Sequence, residues 1–153
     1  MTPQIGETAP GFTLTGHTGE EVALADFRGV SAVALVFYPA AFTGRCTGEL
    51  CELRDNLGLF EDEDVELLAI SCDHPGSLVA FAEQEGYEFT LLSDFWPHGA
   101  VAQAYGAFIP ERGLASRKTV LIDRDGIIRA QFETSPGEPR PLSAYRAALA
   151  ELR

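Results

Sequence analysis

The sequence predicts an α/β protein with a central mixed β-sheet flanked by helices, and three observations lead to that prediction. Continuous apolar runs at 30–38 and 65–71 are typical of strands buried on both faces. A helical pattern follows each run, which is the order that produces parallel strands. Two later apolar runs flank Arg124-Asp125-Gly126, a sequence that favours the turn of an antiparallel hairpin.

Each element is supported by local signals. Residues 12–26 alternate apolar and polar side chains around a turn at Gly16–Gly19, which predicts an N-terminal β-hairpin. The helices are indicated by apolar periodicity, by proline in the first turn or by glycine at the end. The remaining predicted elements are a strand at 30–38, a helix at 43–60, a strand at 65–71, a helix at 75–85, a strand at 89–92, a helix at 98–105, strands at 119–123 and 127–132, and a helix at 141–152.

Length and charge limit the classes of function. With 153 residues and 46% apolar side chains, the chain predicts a single domain over residues 1–153 with its own core. The formal net charge of -12 argues against nucleic acid and against anionic membrane surfaces as partners. The N-terminal segment lacks the basic and apolar regions of a secretory signal, and no apolar run is long enough to span a bilayer. We therefore expect a cytoplasmic protein.

Three cysteines are an odd and small number, unlike the disulfide framework of a small secreted domain. In a reducing compartment they would be core residues, metal ligands or catalysts. The three histidines have no metal-ligand spacing with each other or with the cysteines, so we expect no metal site and no bound cofactor. For Cys72, at the end of a predicted strand, we expect a buried packing role.

Cys46 lies in the first turns of the helix predicted after Pro39. Unpaired N–H groups and the positive end of the helix dipole stabilise a thiolate at such a position. The residue could instead be a small apolar side chain filling the top of the core. It begins a helix face that continues with Leu50, Leu53, Leu57 and Phe60.

Neighbouring polar residues favour a reactive Cys46. We expect the hydroxyl of Thr43 to cap the helix and to donate a hydrogen bond to an anion or peroxide. Arg45 could add positive charge, or it could be an ordinary surface residue. Glu49 lies one turn after Cys46 and would disfavour a thiolate unless a cation from elsewhere in the chain neutralises it.

With these residues in view, the sequence resembles the peroxiredoxin family. The run FYPAAFTGRCTGEL at 37–50 matches the family's signature, and similarity extends to GETAPGFTL, to LLSDFWPHGAVAQAYG and to the segment from Arg117 to Gly126. The resemblance implies a thioredoxin-like fold and a thiol-dependent peroxidase acting on hydrogen peroxide and organic hydroperoxides. It also implies an active site formed by Pro39, Thr43, Cys46 and Arg117.

The resemblance suggests a role for each of these residues. The Cys46 thiolate would attack the peroxide, while Thr43 and Arg117 would stabilise the charge on the leaving oxygen. Pro39 would shield the pocket from water, and Glu49 would orient Arg117. We choose Arg117 over Lys118 because Arg117 shares a strand face with Thr119 in the period of two.

The role of Cys51, five residues after Cys46, stays open between two alternatives. On a regular helix the two residues are about 140° and 7–8 Å apart, too far for a disulfide without backbone movement. Its spacing resembles that of the PrxQ, or bacterioferritin comigratory protein, subfamily, which implies an intramolecular disulfide. The segment at 91–106 resembles the alkyl hydroperoxidase E group, whose one-cysteine enzymes would leave Cys51 a spectator. We favour resolution, because an exposed free thiol beside a reactive one would itself be at risk of oxidation. Gly48 also weakens the intervening helix, and Cys51 lies off the apolar stripe, where a reductant can reach it.

The partners implied are a peroxide substrate and a thioredoxin- or glutaredoxin-like reductant. We expect a homodimer, with a monomer as the alternative, and assign Phe95 and Trp96 to packing or to a dimer contact. The sequence argues against two other functions. A disulfide oxidoreductase would carry a second cysteine at position 49, where this chain has glutamate, and a chaperone module would not need Thr43 and Arg117.

Overall fold

Strands and helices alternate along most of the chain. The structure is a computed structural model that describes residues 2–135 and 137–152, except for the side chains of residues 45–47. The strands are β1 (Thr13–Gly16), β2 (Glu21–Ala23), β3 (Ala32–Phe37), β4 (Val65–Ser71), β5 (Thr90–Ser93), β6 (Phe108–Ile109), β7 (Leu114–Ala115), β8 (Arg117–Ile122) and β9 (Ile128–Thr134). The helices are α1 (Gly44–Asp55), α2 (Gly58–Glu61), α3 (Pro75–Glu85), α4 (Ala100–Ala104) and α5 (Leu142–Ala150), and a 3-10 turn covers Leu24–Phe27.

The central sheet is mixed, as the sequence predicts. Its seven strands lie in the order β2-β1-β5-β4-β3-β8-β9. The three in the middle, β5, β4 and β3, are parallel, and the connections between them contain α1 and α3. The outer strands pair antiparallel, including the predicted hairpins β1-β2 and β8-β9. Parallel strands need long crossover connections, which explains why the helices separate them in sequence.

Strand β3 divides the core between the two faces of the sheet. Ala34 and Val36 belong to the apolar cluster that contains side chains of α1, α3 and α5, whereas Leu35 and Phe37 belong to the cluster that contains Ala102 of α4. Every residue of this strand is buried. Successive side chains of a strand point to opposite faces, so a continuously apolar run is what a two-sided burial requires.

The helix predicted at 43–60 is wrong in its end point. Helix α1 ends at Asp55, and the short α2 begins at Gly58. The side-chain amide of Asn56 donates to the carbonyl oxygen of Glu52, 2.8 Å away, and so competes for an acceptor of the helix. Asn56 and Gly58 are both weak helix formers, so the break follows from their local chemistry.

The other elements agree with the sequence within a few residues, with one addition. Helix α3 has the predicted bounds, and it ends at Gly86 in a left-handed conformation with a φ of 67°. Helix α4 begins two residues later than predicted. The two-stranded β6-β7 hairpin was not predicted, because strands of two residues leave no periodic signal. No helix in the described part of the chain combines the length and apolarity needed to cross a bilayer.

Candidate active site

Position 46 lies in the first turn of α1, as the sequence predicts. The helix begins at Gly44, directly after the loop that leaves the carboxyl end of β3. Cys46 is therefore among the first residues whose N–H groups have no acceptor within the helix. Its side chain, and those of Arg45 and Thr47, lie outside the described residues. The expectations for the sulfur of Cys46 and the guanidinium of Arg45 thus stay predictions.

Glu49, one turn after position 46, is buried and is paired with two arginines. Arg117 Nη1 donates to Glu49 Oε1 at 3.0 Å, and Arg140 Nη2 donates to the same oxygen at 2.7 Å. The backbone N–H and the Nε of Arg140 also donate to Glu49 Oε2. The exposed fractions of these three side chains are 3% or less. We call Glu49, Arg117 and Arg140 the arginine–glutamate cluster.

Strand β8 places Arg117 on the side of the sheet covered by α1. Thr119, two residues on, shares that face and accepts a hydrogen bond from Arg140 Nη1 at 3.1 Å. Lys118 points to the opposite side, where its Nζ donates to the carbonyl oxygen of Tyr105 at 2.8 Å. Burial lowers the pKa of Lys118. The alternation that led us to choose Arg117 over Lys118 is therefore present in the strand.

Thr43 is at the N-cap position of α1 but does not cap the helix through its side chain. Its hydroxyl donates to the carbonyl oxygen of Ala40 at 2.9 Å, so the predicted capping hydrogen bond was wrong. The hydroxyl instead stabilises the turn that precedes the helix. Pro39 opens this turn and is half-buried. Phe42 adopts a left-handed conformation with a φ of 63° and packs on Phe81, with ring centres 5.0 Å apart.

Asp73 fixes the same turn from the neighbouring strand. Its Oδ2 accepts from the backbone N–H of Ala41 at 2.8 Å and from the hydroxyl of Ser71 at 2.7 Å. Its carbonyl oxygen accepts from the hydroxyl of Ser93 at 2.6 Å. We did not predict this positioning role from the sequence. The available signal was that Asp73 follows a buried parallel strand, whose carboxyl end meets that of β3 at one edge of the sheet.

Arg140 is the second residue that sequence reasoning missed. It lies in a segment rich in proline and glycine, SPGEPRP, in which no periodicity indicates which side chains point inward. Arg140 is buried because this segment packs against α1 and β8, where it contacts Glu49 and Thr119. We expected a single cation to neutralise Glu49, and the structure supplies two.

Comparison with known proteins identifies the family of the chain. The sequence profile of the AhpC/TSA family matches residues 5–131. The chain is a peroxiredoxin of this family. Alkyl hydroperoxide reductase E of Mycobacterium tuberculosis is 50% identical over 148 residues, which cover 97% of each chain. Peroxiredoxin Bcp of Escherichia coli is 39% identical over 136 residues, which cover 85% of each chain.

Solved peroxiredoxin structures share the fold. The crystal structure of Peroxidoxin BcpB from Mycobacterium tuberculosis has a TM-score of 0.83 and 32% identity, covering 98% of this chain and 96% of that one. The reduced 2-Cys peroxiredoxin of Plasmodium vivax has a TM-score of 0.86 and 28% identity, covering 97% and 81%. The predicted family and the thioredoxin-like fold are thus confirmed. The chain is a thiol-dependent peroxidase, with a peroxide as substrate and a thiol as reductant.

In this peroxiredoxin, Cys51 is less accessible than the sequence suggested. The residue is half-buried and packs against the apolar cluster between the sheet and α1. Its Sγ lies 3.5 Å from Tyr87 Oη and 3.7 Å from Glu85 Oε2. The expectation that Cys51 stands clear of the core was wrong, because the end of α3 and the residues after it cover that side of α1.

Cys72 is buried on the other face of the sheet, as expected for a packing residue. Only 4% of it is exposed, and it belongs to the cluster that contains Leu35 and Phe37. Burial, with the nearby carboxylates of Asp94 and Asp73, raises the pKa of the thiol to about 12. The thiol therefore stays protonated at neutral pH.

Trp96 is the most exposed of the large apolar side chains in the described part of the peroxiredoxin. Its exposed fraction is 82%, compared with 43% for Phe95 and 50% for Phe42. Of the two roles predicted for this pair of residues, internal packing does not apply to Trp96. The described residues contain no group of three or more His, Cys, Asp or Glu side chains that could hold a metal ion.

Proposed function

We propose that Cys46 is the nucleophile of this thiol-dependent peroxidase. Its thiolate attacks one oxygen of the peroxide, the O–O bond breaks, and the other oxygen leaves as an alcohol or water after taking up a proton. Sulfur is oxidised to a sulfenic acid. Hydrogen peroxide and organic hydroperoxides both fit this step, because the reacting O–O bond is the same.

The arginine–glutamate cluster is the observation that carries this proposal. Two guanidinium groups share one carboxylate, so the cluster contains an excess of one positive charge that is shielded from water. Buried positive charge one turn from position 46 favours a thiolate there and stabilises negative charge on the leaving oxygen. In this arrangement Arg117 is the catalytic cation, while Glu49 and Arg140 position it.

Thr43 and Pro39 complete the proposed site. The hydroxyl of Thr43 is held at the start of α1 by its hydrogen bond to Ala40, so it can accept from the bound peroxide and can donate to it once the bond to Ala40 is released. Half-buried Pro39 limits the access of water to the nucleophile. Replacing Cys46 by serine tests the assignment: peroxide consumption should vanish while the circular dichroism spectrum stays unchanged. Peroxide turnover by the serine variant would refute the assignment of Cys46 as the nucleophile.

We further propose that Cys51 resolves the sulfenic acid. The Cys51 thiol loses its proton and its sulfur attacks the sulfur of Cys46; the S–O bond breaks, the leaving hydroxide takes up a proton to become water, and a disulfide forms. A thioredoxin- or glutaredoxin-like dithiol then reduces that disulfide. The two positions are five residues apart on a continuous helix, so α1 must unwind locally before the sulfurs can meet.

The alternative is a one-cysteine mechanism, in which an external thiol reduces Cys46. The contacts of Cys51 with Tyr87 and Glu85 favour this alternative, because they hold the thiol in place. Thiol counting distinguishes the two mechanisms. With a resolving Cys51, one equivalent of peroxide removes two thiols, and mass analysis finds a Cys46–Cys51 link within one chain. Loss of a single thiol and a stable sulfenic acid would establish the one-cysteine mechanism.

Two matched variants strengthen the test. Cys51→Ser should react normally with the first equivalent of peroxide and then accumulate sulfenic acid, which further peroxide overoxidises. Cys72→Ser changes the third thiol, which is buried on the opposite face of the sheet, and should retain full disulfide formation. If the two variants accumulate sulfenic acid to the same extent, Cys51 is not the resolving residue.

We propose that the enzyme forms a homodimer through the exposed aromatic side chains of Phe42, Phe95 and Trp96. Aromatic residues are enriched in the buried centres of interfaces. Trp96→Ser should therefore lower the sedimentation coefficient, whereas Val30→Ser, at another exposed apolar position, should not. Identical sedimentation of both variants and the parent protein would refute this interface.

We also propose a cytoplasmic location, since the free thiols of Cys51 and Cys72 fit a reducing compartment. Cell fractionation tests it, and recovery of the enzyme outside the cytoplasm would refute it.

A further inference from the structure

Three contacts join the second half of α1 to the end of α3 and to Tyr87, two residues after that helix. Two involve the sulfur of Cys51, which lies 3.5 Å from Tyr87 Oη and 3.7 Å from Glu85 Oε2. The third is a hydrogen bond from Arg54 Nη1 to the carbonyl oxygen of Glu85. Glu85 is the last residue of α3, where carbonyl groups lack partners within the helix and favour a cation.

These contacts oppose the movement that a disulfide would require. Cys51 must leave its position before it can reach Cys46, since the two face apart on an intact helix. Leaving would break the contacts with Tyr87 and Glu85. Burial and the contact with Cys51 raise the pKa of Tyr87, so its hydroxyl remains a hydrogen-bonding group throughout the physiological pH range.

Aromatic packing links the same region to the start of α1. The Tyr87 ring meets Phe81 edge to face, with ring centres 5.2 Å apart, and Phe81 contacts Phe42 at 5.0 Å. Phe42 immediately precedes Thr43 and adopts a left-handed backbone conformation that few non-glycine residues take. The side of α3 facing α1 thus touches both the turn before position 46 and the helix around position 51.

We propose that Tyr87, Glu85 and Arg54 form a clamp that holds Cys51 away from Cys46 and thereby sets the rate of the resolving step. The proposal rests on the resolving role of Cys51. By delaying disulfide formation, the clamp lengthens the life of the Cys46 sulfenic acid. A second peroxide then has time to oxidise this acid to the sulfinic form, so the clamp also sets the peroxide concentration at which the enzyme inactivates. These three residues are positioning residues.

Tyr87→Phe tests the clamp, because it deletes one hydroxyl and leaves the aromatic packing in place. Disulfide formation after one equivalent of peroxide should become about fivefold faster, the effect of losing one hydrogen bond that the unwound state does not contain. The rate of the first reaction with peroxide should be unchanged. The peroxide concentration that overoxidises half of Cys46 should rise by about the same factor, since resolution competes better.

Tyr105→Phe is the matched control. Tyr105 is also a buried tyrosine, and its hydroxyl donates to the carbonyl oxygen of Pro10 on the other side of the sheet. The Tyr105→Phe substitution should leave the rate of disulfide formation equal to that of the parent enzyme, even if it lowers global stability. Glu85→Ala removes a second contact of the thiol and should accelerate resolution in the same direction as Tyr87→Phe.

The outcomes separate the clamp from the mechanism on which it rests. If the parent enzyme forms the disulfide, and Tyr87→Phe and Glu85→Ala resolve at the parent rate or more slowly, the clamp is refuted and Cys51 keeps its role. If no disulfide forms in the parent enzyme or in any variant, Cys51 does not resolve the sulfenic acid. Thiol counting shows this independently, and the clamp is then refuted together with the resolving role. Faster resolution in Tyr105→Phe as well would show a general effect of stability and would also refute the clamp.

Discussion

The carboxylate of Glu49 and the guanidinium of Arg140 are 2.7 Å apart in the protein interior, although 91 residues separate them in sequence. Arg140 also donates its backbone N–H and its Nε to Glu49, and its Nη1 to the hydroxyl of Thr119. The segment between β9 and α5 is thereby attached to the helix that contains Cys46. Loss of this attachment should affect stability and catalysis together, whereas loss of Arg117 should affect mainly catalysis.

Arg117→Ala should slow the reaction with peroxide by about 100-fold or more, which is the usual effect of removing one preorganised charge-stabilising donor. Glu49 keeps its hydrogen bonds from Arg140, so the protein should remain folded. Stopped-flow measurement of the first oxidation step checks this. Arg124→Ala, at an exposed arginine paired with Asp64, should react at the parent rate. Equal rates for the two variants would show that Arg117 does not take part in the reaction with peroxide.

Arg140→Met should lower the free energy of unfolding by about 3 kcal/mol, because it breaks a buried ion pair and leaves acceptors of Glu49 without donors. Urea denaturation measures the change. Arg129→Met, which breaks the more exposed pair with Asp123, should cost about 1 kcal/mol or less. The assignment of Arg140 to the cluster would be contradicted by equal losses in the two variants.

Gly48→Ala should slow disulfide formation about fivefold, because alanine stabilises a helix interior by roughly 1 kcal/mol relative to glycine and resolution requires unwinding. A Cβ at position 48 would meet no heavy atom within 4 Å among the described residues, apart from its own helix backbone. Gly58→Ala, also at an open position but in α2, is the control. Quenched alkylation followed by mass analysis gives both rates. Faster resolution in Gly48→Ala would argue against unwinding.

Cys72 should resist alkylation by iodoacetamide in the native protein at pH 8.5, since burial raises its pKa to about 12 and leaves almost no thiolate. The pKa is higher in the folded state than in the unfolded state. Ionisation of Cys72 therefore has no effect on stability below about pH 9, and it makes the protein less stable as the pH rises above that value, because the thiol ionises more readily in the unfolded state. Alkylation in urea, where the thiol is exposed, is the positive control. Native Cys72 that reacts as fast as unfolded Cys72 would contradict this burial.

The residues of the proposed active site differed in how much the sequence revealed of them. Cys46, Thr43 and Glu49 are close together in one helical segment, so local periodicity alone placed them on or beside a common turn. The assignment of Arg117 needed the strand period and the family resemblance. Arg140 has no such local signal, because no helical or strand period extends through the proline-rich segment that contains it.

Local patterns in the sequence were enough to predict the alternation of strands and helices, the position of Cys46 in the first turn of α1 and the family of the chain. These features depend on apolar periodicity, on turn residues and on short motifs, all of which are local. The pairing of Arg140 with Glu49 and the contacts of Cys51 with Tyr87 and Glu85 became visible only in the folded protein. Both relationships arise when distant segments pack on the same side of the sheet, and contacts of that kind have no periodic signature along the chain.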